Sequence, residues 1–358
     1  MILTLIIFLV ILMALVLSHE FGHFLVARLG GVRVDEFGFG FPPRLLAVQK
    51  GKTRYSFNLV PLGGFVKIKG EEGEDPDDPE SFSAKPFWLK IAILLAGVAF
   101  NIALAYFLIS GGYILGTPIP LEDTDQNPTA SVIITAIQKD SPAARSGLEA
   151  GDTLIGISAG GDTAAITKIS EAQDFINAHR GQDVVVSVER SSKKLLLPAK
   201  VRTETKEGEG ALGIQMSRIG IEKLGVFAAL KKGVAATYNT TIRTAYALGA
   251  FFKKVFAGRA SFEEVSGPVG IVSIVGDFSR FGLIFLIQLT AFLSINLALI
   301  NLVPFPGLDG GRALFLVIER LRGRPISFHA SRLIHAAGFI ALVLLMIVIT
   351  YHDIAKLS

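Results

Sequence analysis

Residues Met1–Ala27 read MILTLIIFLVILMALVLSHEFGHFLVA, an apolar run broken near its end by one cluster of ionisable side chains. A helix needs about 20 predominantly apolar residues to cross the ~30 Å hydrocarbon core of a bilayer, so we predict a transmembrane helix here. The run contains no Lys or Arg, so the basic region that begins a cleavable signal peptide is missing. We expect the helix to be retained, with its N-terminus outside.

The ionisable cluster is an H-E-x-x-H motif formed by His19, Glu20 and His23. Residues four apart on a helix share a face, so the two histidines can direct imidazole nitrogens at one Zn²⁺ while the glutamate activates water. A chance pairing of histidines is the alternative. Ionisable groups at membrane depth cost on the order of 2.5–3.5 kcal/mol each on insertion scales, which disfavours a cluster without function. The motif therefore indicates hydrolysis within or at the edge of a membrane.

Apolar residues are distributed unevenly along the chain, which has 358 residues, 51% of them hydrophobic, and a mean hydropathy of +0.52. They concentrate in runs at 1–27, about 87–115, about 281–303 and about 333–351. Each run is near or above the length that a membrane-spanning helix requires. The composition therefore predicts a membrane protein with at least four spans and a soluble insert.

The basic residues give a formal net charge of +4 and a pI of about 9.2, which in a soluble protein would suggest nucleic-acid binding. Here Lys and Arg cluster beside the spans, within 28–90 and 312–332, and such residues favour the cytoplasmic side of a membrane. We expect both loops to be cytoplasmic, residues 117–280 to be extracytoplasmic, and no nucleic-acid partner. The absence of cysteine excludes disulfides and thiolate ligands.

Residues 32–70 combine alternating apolar residues, β-branched side chains and Gly/Pro punctuation, which is typical of short strands or hairpins. Irregular backbone enters a membrane only where protein covers it or where it lines a water-filled cavity. A re-entrant sheet beside the metal motif and an ordinary amphipathic cytoplasmic hairpin both remain open. The acidic stretch at 71–80 is predicted to be a solvated linker.

The stretch from about 131 to 200 has the pattern of a small soluble domain with short strands around one or two helices. Ser141-Pro142 is a plausible helix start, and Gly151-Asp152 is a plausible turn into a strand. Apolar and basic residues then recur at helical spacing from 225 to 256, which predicts helices at the membrane surface. In the second apolar run, Gly97 and Asn101 share a helical face, which predicts close helix packing and one interhelical hydrogen bond.

A third metal ligand is needed, because catalytic zinc sites normally use three protein ligands plus water. The strongest candidate is Asp309 in the stretch N-L-V-P-F-P-G-L-D-G-G-R at 301–312. Pro304 and Pro306 forbid a regular helix there, and the glycines let the backbone turn the carboxylate inward. His335, at the start of the fourth apolar run, is the competing candidate.

Several of these motifs together resemble the site-2 protease family, and within it the bacterial RseP type, while the soluble insert resembles a PDZ domain of the bacterial protease kind. The matching stretches are S-H-E-F-G-H-F at 18–24, F-G-F-G-F-P-P at 37–43, V-P-L-G-G-F-V-K at 60–67, S-G-P-V-G-I at 266–271 and N-L-V-P-F-P-G-L-D-G-G at 301–311. Two features depart from the family pattern. Val98 stands where proline commonly follows the glycine, and only one PDZ domain is present.

The resemblance implies a zinc centre with His19, His23 and Asp309 as ligands and Glu20 as the general base. It implies that residues 32–69 are the membrane-re-entrant β element, and that the substrate is held by Asn296, Asn301, Pro304 and Pro306. The implied substrates are single-pass membrane proteins that have already been shortened outside, such as anti-sigma factors of the sigma-E type of stress response or remnant signal peptides. A peptide is a further possible ligand of the PDZ domain, which otherwise serves as a spacer.

The expected fold is a polytopic α-helical membrane protein of the bacterial inner membrane, with about four transmembrane helices, a membrane-associated β element and an inserted extracytoplasmic PDZ domain. The four expected spans are 1–27, 87–116, 281–311 and 333–351, and the first and third carry the H-E-x-x-H and L-D-G motifs. Between them lie the cytoplasmic or re-entrant β region at 28–86, the PDZ domain at 117–205, extracytoplasmic juxtamembrane helices at 206–280 and a cytoplasmic loop at 312–332. The expected function is intramembrane zinc endopeptidase. A non-catalytic membrane adaptor that uses its PDZ domain is the alternative, and a zincin anchored by one helix is disfavoured because its motif would lie in the soluble part.

Overall fold

The computed structural model of the protein describes residues 2–71, 73–127, 129–190, 193–205, 209–259, 265–324 and 326–357. The predicted extracytoplasmic segment 206–280 therefore falls partly, at 206–208 and 260–264, outside the described residues. The chain divides into two compact units. The helical unit comprises Met1–Gly111, Phe227–Gly276 and Leu286–Ser358, and the sheet unit comprises Gly112–Val226 and Asp277–Phe285.

The described residues form helices near both ends of the chain, and their strands lie between the first helix and the fifth. The helices are α1 Ile2–Leu29, α2 Phe87–Leu115, α3 Pro142–Arg145, α4 Ile169–Ala178, α5 Val226–Phe256, α6 Pro268–Phe281, α7 Leu283–Asn301, α8 Asp309–Arg322 and α9 Phe328–Leu357. The strands are β1 Val34–Lys50, β2 Thr53–Ile68, β3 Thr117–Pro120, β4 Ser131–Ile137, β5 Thr153–Ala159, β6 Asp162–Ala165, β7 Asp183–Arg190, β8 Lys193–Lys200 and β9 Ile214–Glu222.

Among the described residues, four helices are long and apolar enough to cross a membrane, in agreement with the four apolar runs of the sequence. They are α1, α2, α7 and, within α9, His329–Ala355. The division expected at 281–311 contains parts of two helices, because α7 ends at Asn301 and Asp309 begins the separate helix α8. The prolines at 304 and 306 explain the break, since each lacks the N–H that a continuing helix would use.

The strands β1 and β2 form a curled antiparallel layer with four segments rather than a plain hairpin. Residues 34–39 of β1 pair on one side with 64–68 of β2 and on the other with 54–57, while 44–50 pairs with 53–58. The register shifts repeatedly between these segments, and β1 bends at Pro42 and Pro43, which cannot donate ladder hydrogen bonds. Among the described residues, the outer edge of 64–68 pairs with no further strand.

The core of the helical unit joins α1, this curled layer and α2. Buried side chains from the three elements and from the connections between them pack together at one end of α1, namely Phe24, Ala27, Val32, Val34, Ile68, Phe82, Ile93 and Leu94. A second cluster of Ala105, Ala291 and Ile295 joins α2 to α7. These contacts fix α1 between the curled layer and α2, so that the motif on α1 faces both.

The sheet unit is built on an antiparallel sheet with strand order β3-β9-β4-β5-β7-β8, and β6 pairs with β5. Alternate residues of β7, Val184, Val186 and Val188, are fully buried, as expected for a strand with one face on a core. The predicted helix start is present, because the Ala144 N–H donates to Ser141 Oγ at 3.1 Å and Pro142 is the first residue of α3. The sheet extends past the predicted limit at 205, since β9 pairs with both β3 and β4.

Candidate metal centre

Three side chains from two distant stretches of the helical unit converge on one point. The Asp309 Oδ2 atom lies 3.0 Å from His19 Nε2 and 3.2 Å from His23 Nε2. The two Nε2 atoms are 3.3 Å apart. Both histidines are buried, with exposed fractions of 8% and 7%. The sequence-predicted ligand residues are thus brought together, and among the described residues they form the group of His, Asp and Glu side chains that could hold a metal ion.

The spacing and chemistry of the three atoms fit a zinc ion. Ligand atoms at zinc bond lengths of about 2.0–2.2 Å and tetrahedral angles lie about 3.3–3.5 Å apart, close to the three separations found here. Two imidazole nitrogens with one carboxylate oxygen are a donor set that catalytic zinc uses, with a fourth position left open. The residues present therefore fit the metal that the motif predicts.

The orientation of His23 is fixed by a hydrogen bond on the far side of its ring. Its Nδ1–H donates to the Ile93 carbonyl oxygen of α2 at 2.8 Å. With the proton on Nδ1, the lone pair of Nε2 is directed at the point that His23 shares with His19 and Asp309. Histidine ligands of metals are usually held in this way, through the ring nitrogen that does not bind the ion.

The backbone of α2 covers both imidazole rings at Gly97. A methyl group at this position would lie 2.6 Å from His19 Cε1 and 2.7 Å from His19 Nδ1, and closer still to His23 Nε2. A side chain therefore cannot be accommodated unless the rings move. The sequence assigned Gly97 to helix packing, and nothing in the local pattern predicted that the surface it approaches is the pair of histidines.

The carboxylate of Asp309 is presented by a tight turn at residues 302–308 that folds back over the first residues of α8. A methyl group at Gly310 would lie 2.5 Å from the Val303 carbonyl oxygen, and one at Gly311 would lie 2.6 Å from the Phe305 carbonyl carbon. Glycine at both positions lets the turn approach the helix closely enough to place Asp309. The Gly-Gly pair after the aspartate was the sequence signal for this turn.

The competing ligand candidate, His335, has a different contact in the structure. Its Nδ1 atom accepts a hydrogen bond from the Gly307 N–H at 3.1 Å, and its ring lies against Phe315. His335 is therefore bound to the turn that carries Asp309 and is absent from the group of potential metal ligands found among the described residues.

A cavity of about 250 Å³ opens beside the three converging side chains. Glu20 borders it, next to His19 and Asp309, and its remaining walls come from α1, β2, the end of α7 and the turn before Asp309. The wall residues outside that turn that the sequence motifs left without a role are Val16, Gly63, Gly64 and Leu297. A methyl group at Gly64 would lie 3.2 Å from Glu20 Cγ, so β2 passes directly alongside the glutamate.

The four residues predicted to hold substrate are placed differently from one another. Asn301 lines the cavity. The Asn296 Nδ2 atom donates to the Phe292 carbonyl oxygen of its own helix at 2.8 Å, and Asn296 does not border the cavity. Pro304 and Pro306 lie in the turn before Asp309, outside the cavity wall.

Comparison with known proteins agrees with this geometry, because the pattern of Peptidase family M50 matches residues 7–345. The chain belongs to Peptidase family M50. A Brucella suis relative of this M50 protein is 31% identical over 98% of the chain and 95% of its own length. The regulator of sigma-W protease RasP of Bacillus subtilis is 29% identical over 99% of both chains. The zinc metalloprotease RasP of Geobacillus kaustophilus is 28% identical over 98% of this chain and 97% of its own.

These matches confirm the sequence-based expectation of a membrane-embedded zinc metalloprotease of the site-2 protease family. Among solved structures, the PDZ domain of an SdrC-like protein from Listeria monocytogenes is 25% identical to the M50 protein. That match covers 27% of the M50 protein and 93% of the domain, with a TM-score of 0.21.

Proposed function

We propose that this M50 protease cleaves peptide bonds within the transmembrane segments of single-pass membrane proteins. The observation that carries the proposal is the position of the candidate centre. His19, Glu20 and His23 lie on α1, a helix long and apolar enough to span a membrane, and Asp309 reaches them just after the end of a second such helix. A centre held between two spanning helices is suited to substrates that are themselves in the membrane.

In this proposal His19, His23 and Asp309 hold Zn²⁺, and Glu20 is the general base. A zinc ion held by these residues would polarise the scissile carbonyl and make water a better nucleophile near neutral pH. Glu20 follows His19 in sequence and borders the cavity, so its carboxylate takes the proton of the attacking water and returns it to the leaving nitrogen. The partly apolar walls of the cavity, among them Leu297, limit the access of other water to the reacting atoms.

The substrate must be extended before it can be cleaved, because a helical peptide bond hides its carbonyl in an i to i−4 hydrogen bond. The outer edge of β2 at 64–68 offers unpaired backbone groups to an added strand. Gly64 places that edge beside Glu20, and Asn301 lines the same cavity. We infer that β2 and Asn301 hold the unwound substrate. Asn296, Pro304 and Pro306 support this role by setting the shape of the end of α7 and of the turn that follows it.

The substrates we infer are segments whose outer part has already been removed, namely anti-sigma factors and remnant signal peptides. The name of the Bacillus subtilis relative, regulator of sigma-W protease, supports a role in sigma-factor regulation. The clusters of Lys and Arg beside the spans support placement in a bacterial inner membrane, with 28–86 and 312–332 cytoplasmic and the sheet unit outside. The centre then lies toward the cytoplasmic side, and the sheet unit, as a PDZ-like module, controls access or binds a peptide.

Cleavage of a transmembrane substrate by the purified full-length protein tests the proposal. The protein is solubilised in detergent with its zinc, and wild type is compared with Glu20→Gln. We expect wild type to cut within the apolar segment and the variant to leave the substrate intact. Absence of cleavage by the zinc-loaded wild type would favour the non-catalytic adaptor instead, and cleavage only outside the apolar segment would place the reaction outside the membrane.

A further inference from the structure

The two histidines of the candidate centre differ at the ring nitrogen that faces away from Asp309. The Nδ1 of His23 is bonded to the Ile93 carbonyl oxygen, whereas the Nδ1 of His19 is buried and has no hydrogen-bond partner among the described residues. Metal-bound histidines nearly always donate this second N–H to an acceptor, which fixes the ring and raises its basicity as a ligand. His19 therefore needs an acceptor that the helix it belongs to does not provide.

A side chain with the required acceptor lies on the helix that covers His19. Asn101 of α2 is fully buried, with an exposed fraction of 0%, and within the part of the chain that the structure describes neither its Oδ1 nor its Nδ2 has a hydrogen-bond partner. It follows Gly97 by one helical turn and shares its face. A methyl group at Gly97 would lie 2.7 Å from His19 Nδ1, so this face of α2 lies against that nitrogen.

The backbone around Asn101 is anchored from two sides. The Ser294 Oγ–H of α7 donates to the Asn101 carbonyl oxygen at 2.7 Å, and the Ser18 Oγ–H of α1 donates to the Phe100 carbonyl oxygen at 3.2 Å. Ser18 immediately precedes His19, so α1 and α2 are joined beside the imidazole. These bonds hold the Cα of Asn101 in place while leaving its amide group for another partner.

Packing alone does not account for this asparagine. A buried amide in a membrane helix commonly serves as an interhelical hydrogen bond, as the sequence predicted, but Asn101 makes none with its side chain. An unsatisfied buried polar group costs about 1–3 kcal/mol, and the packed helices α1 and α2 each carry one, at His19 and at Asn101. The Nδ1–H of His19 is a donor and Oδ1 of Asn101 is an acceptor, so pairing satisfies both.

We propose that Asn101 is the positioning residue of His19. Its Oδ1 accepts the Nδ1–H of His19, directly or through one water molecule, and so keeps Nε2 directed at the metal. The inference rests on the proposed role of His19 as a zinc ligand. It extends that role to a residue on a neighbouring helix that touches neither metal nor substrate.

The test measures the rate at which the purified, zinc-loaded full-length protein releases zinc to a chelator. Asn101→Leu removes the acceptor at nearly constant volume and should release zinc about 10- to 100-fold faster than wild type, in line with the usual loss of metal affinity when such a partner is removed. Asn101→Asp keeps an acceptor and should stay close to wild type. Ser110→Ala is the matched control, because Ser110 is also a buried, unpartnered polar residue of α2 and should release zinc at the wild-type rate.

The outcomes separate this inference from the proposed function. If Asn101→Leu released zinc at the wild-type rate, the acceptor role of Asn101 would be overturned. The same would hold if Asn101→Asp released zinc as fast as Asn101→Leu. His19→Ala is measured alongside. If His19→Ala also released zinc at the wild-type rate, the assignment of His19 as a ligand would itself be wrong. If His19→Ala lost zinc and Asn101→Leu did not, only the positioning role of Asn101 would fail.

Discussion

The candidate centre has two halves that are constructed differently. In the histidine half, His19 and His23 stand on a regular helix and are covered by the backbone of α2 at Gly97. In the aspartate half, Asp309 begins a helix after an irregular turn, and that turn is contacted by α9 through His335. Periodicity fixes the relative positions of the histidines, whereas contacts distant in sequence fix the aspartate. The two halves should therefore differ in where, and how strongly, a substitution disturbs the metal.

Removing a ligand from either half should have the largest effect. We expect His19→Ala, His23→Ala and Asp309→Ala to lose zinc and turnover together, because a catalytic zinc site needs its three protein ligands. Glu20→Gln should keep zinc and lower turnover by about 10²- to 10⁴-fold, since the amide cannot accept a proton. Zinc stoichiometry measured beside cleavage separates the roles. An Asp309→Ala protein with full zinc and normal turnover would move the third ligand elsewhere, and His335 would be the next candidate.

The second prediction concerns the cover over the histidine half. Gly97→Ala places a methyl group against both imidazoles, so we expect lost zinc affinity and a destabilisation of about 1–3 kcal/mol from overpacking. Gly111→Ala on the same helix has nothing within 4 Å of the new methyl group and should be neutral or slightly stabilising. Chelator competition and thermal unfolding check both variants. Equal behaviour of the two would show that α2 does not constrain the ligands.

The histidine half was largely accessible from sequence, and the reason is local. An apolar run long enough to span a membrane predicts α1, and residues four apart on that helix must share a face. The contacts behind the ligands were not accessible. The bond from His23 to the Ile93 carbonyl and the approach of Gly97 depend on how α2 packs against α1, and the sequence of either helix alone carries no signal for the partner that it meets.

The aspartate half was predicted in kind but not in detail. Two prolines and a glycine pair indicated a broken helix with an inward carboxylate, but they did not indicate the residue at which the helix ends, which is Asn301. Helix ends are set by the first residue whose backbone bonds are lost, which lies upstream of the prolines that cause the loss. In the curled layer, residues 34–39 pair with two segments of β2, and the sequence did not predict this. Alternation of apolar and polar residues indicates which face of a strand is buried, but it does not indicate how many strands pair with it.

A third prediction tests the distant support of the aspartate half. Gly338 of α9 lies so close to the turn that a methyl group would be 2.6 Å from the Pro306 carbonyl carbon. We expect Gly338→Ala to reduce cleavage and zinc affinity, but less than Gly97→Ala, because the turn is partly exposed and can shift. The same chelator competition, with Gly111→Ala as control, gives the comparison. If Gly338→Ala were the more damaging variant, the aspartate half would be the more rigid of the two.

The smallest expected effect concerns the ion pair between Arg312 and Glu71, which ties the first turn of α8 to the loop after β2. The arginine side chain is 41% exposed, so the pair should be worth only about 0.2–1 kcal/mol. Arg312→Glu and Glu71→Arg should each slow cleavage by a few fold, because reversal places like charges together near Asp309. The double reversal should recover most of the loss, since it restores the attraction with the charges exchanged.

Arg322→Glu, at the exposed far end of α8, controls for the change in net charge. Cleavage rates of the four variants in low and high salt give the coupling, and a double variant no better than the worse single one would show that the pair does not help to place Asp309.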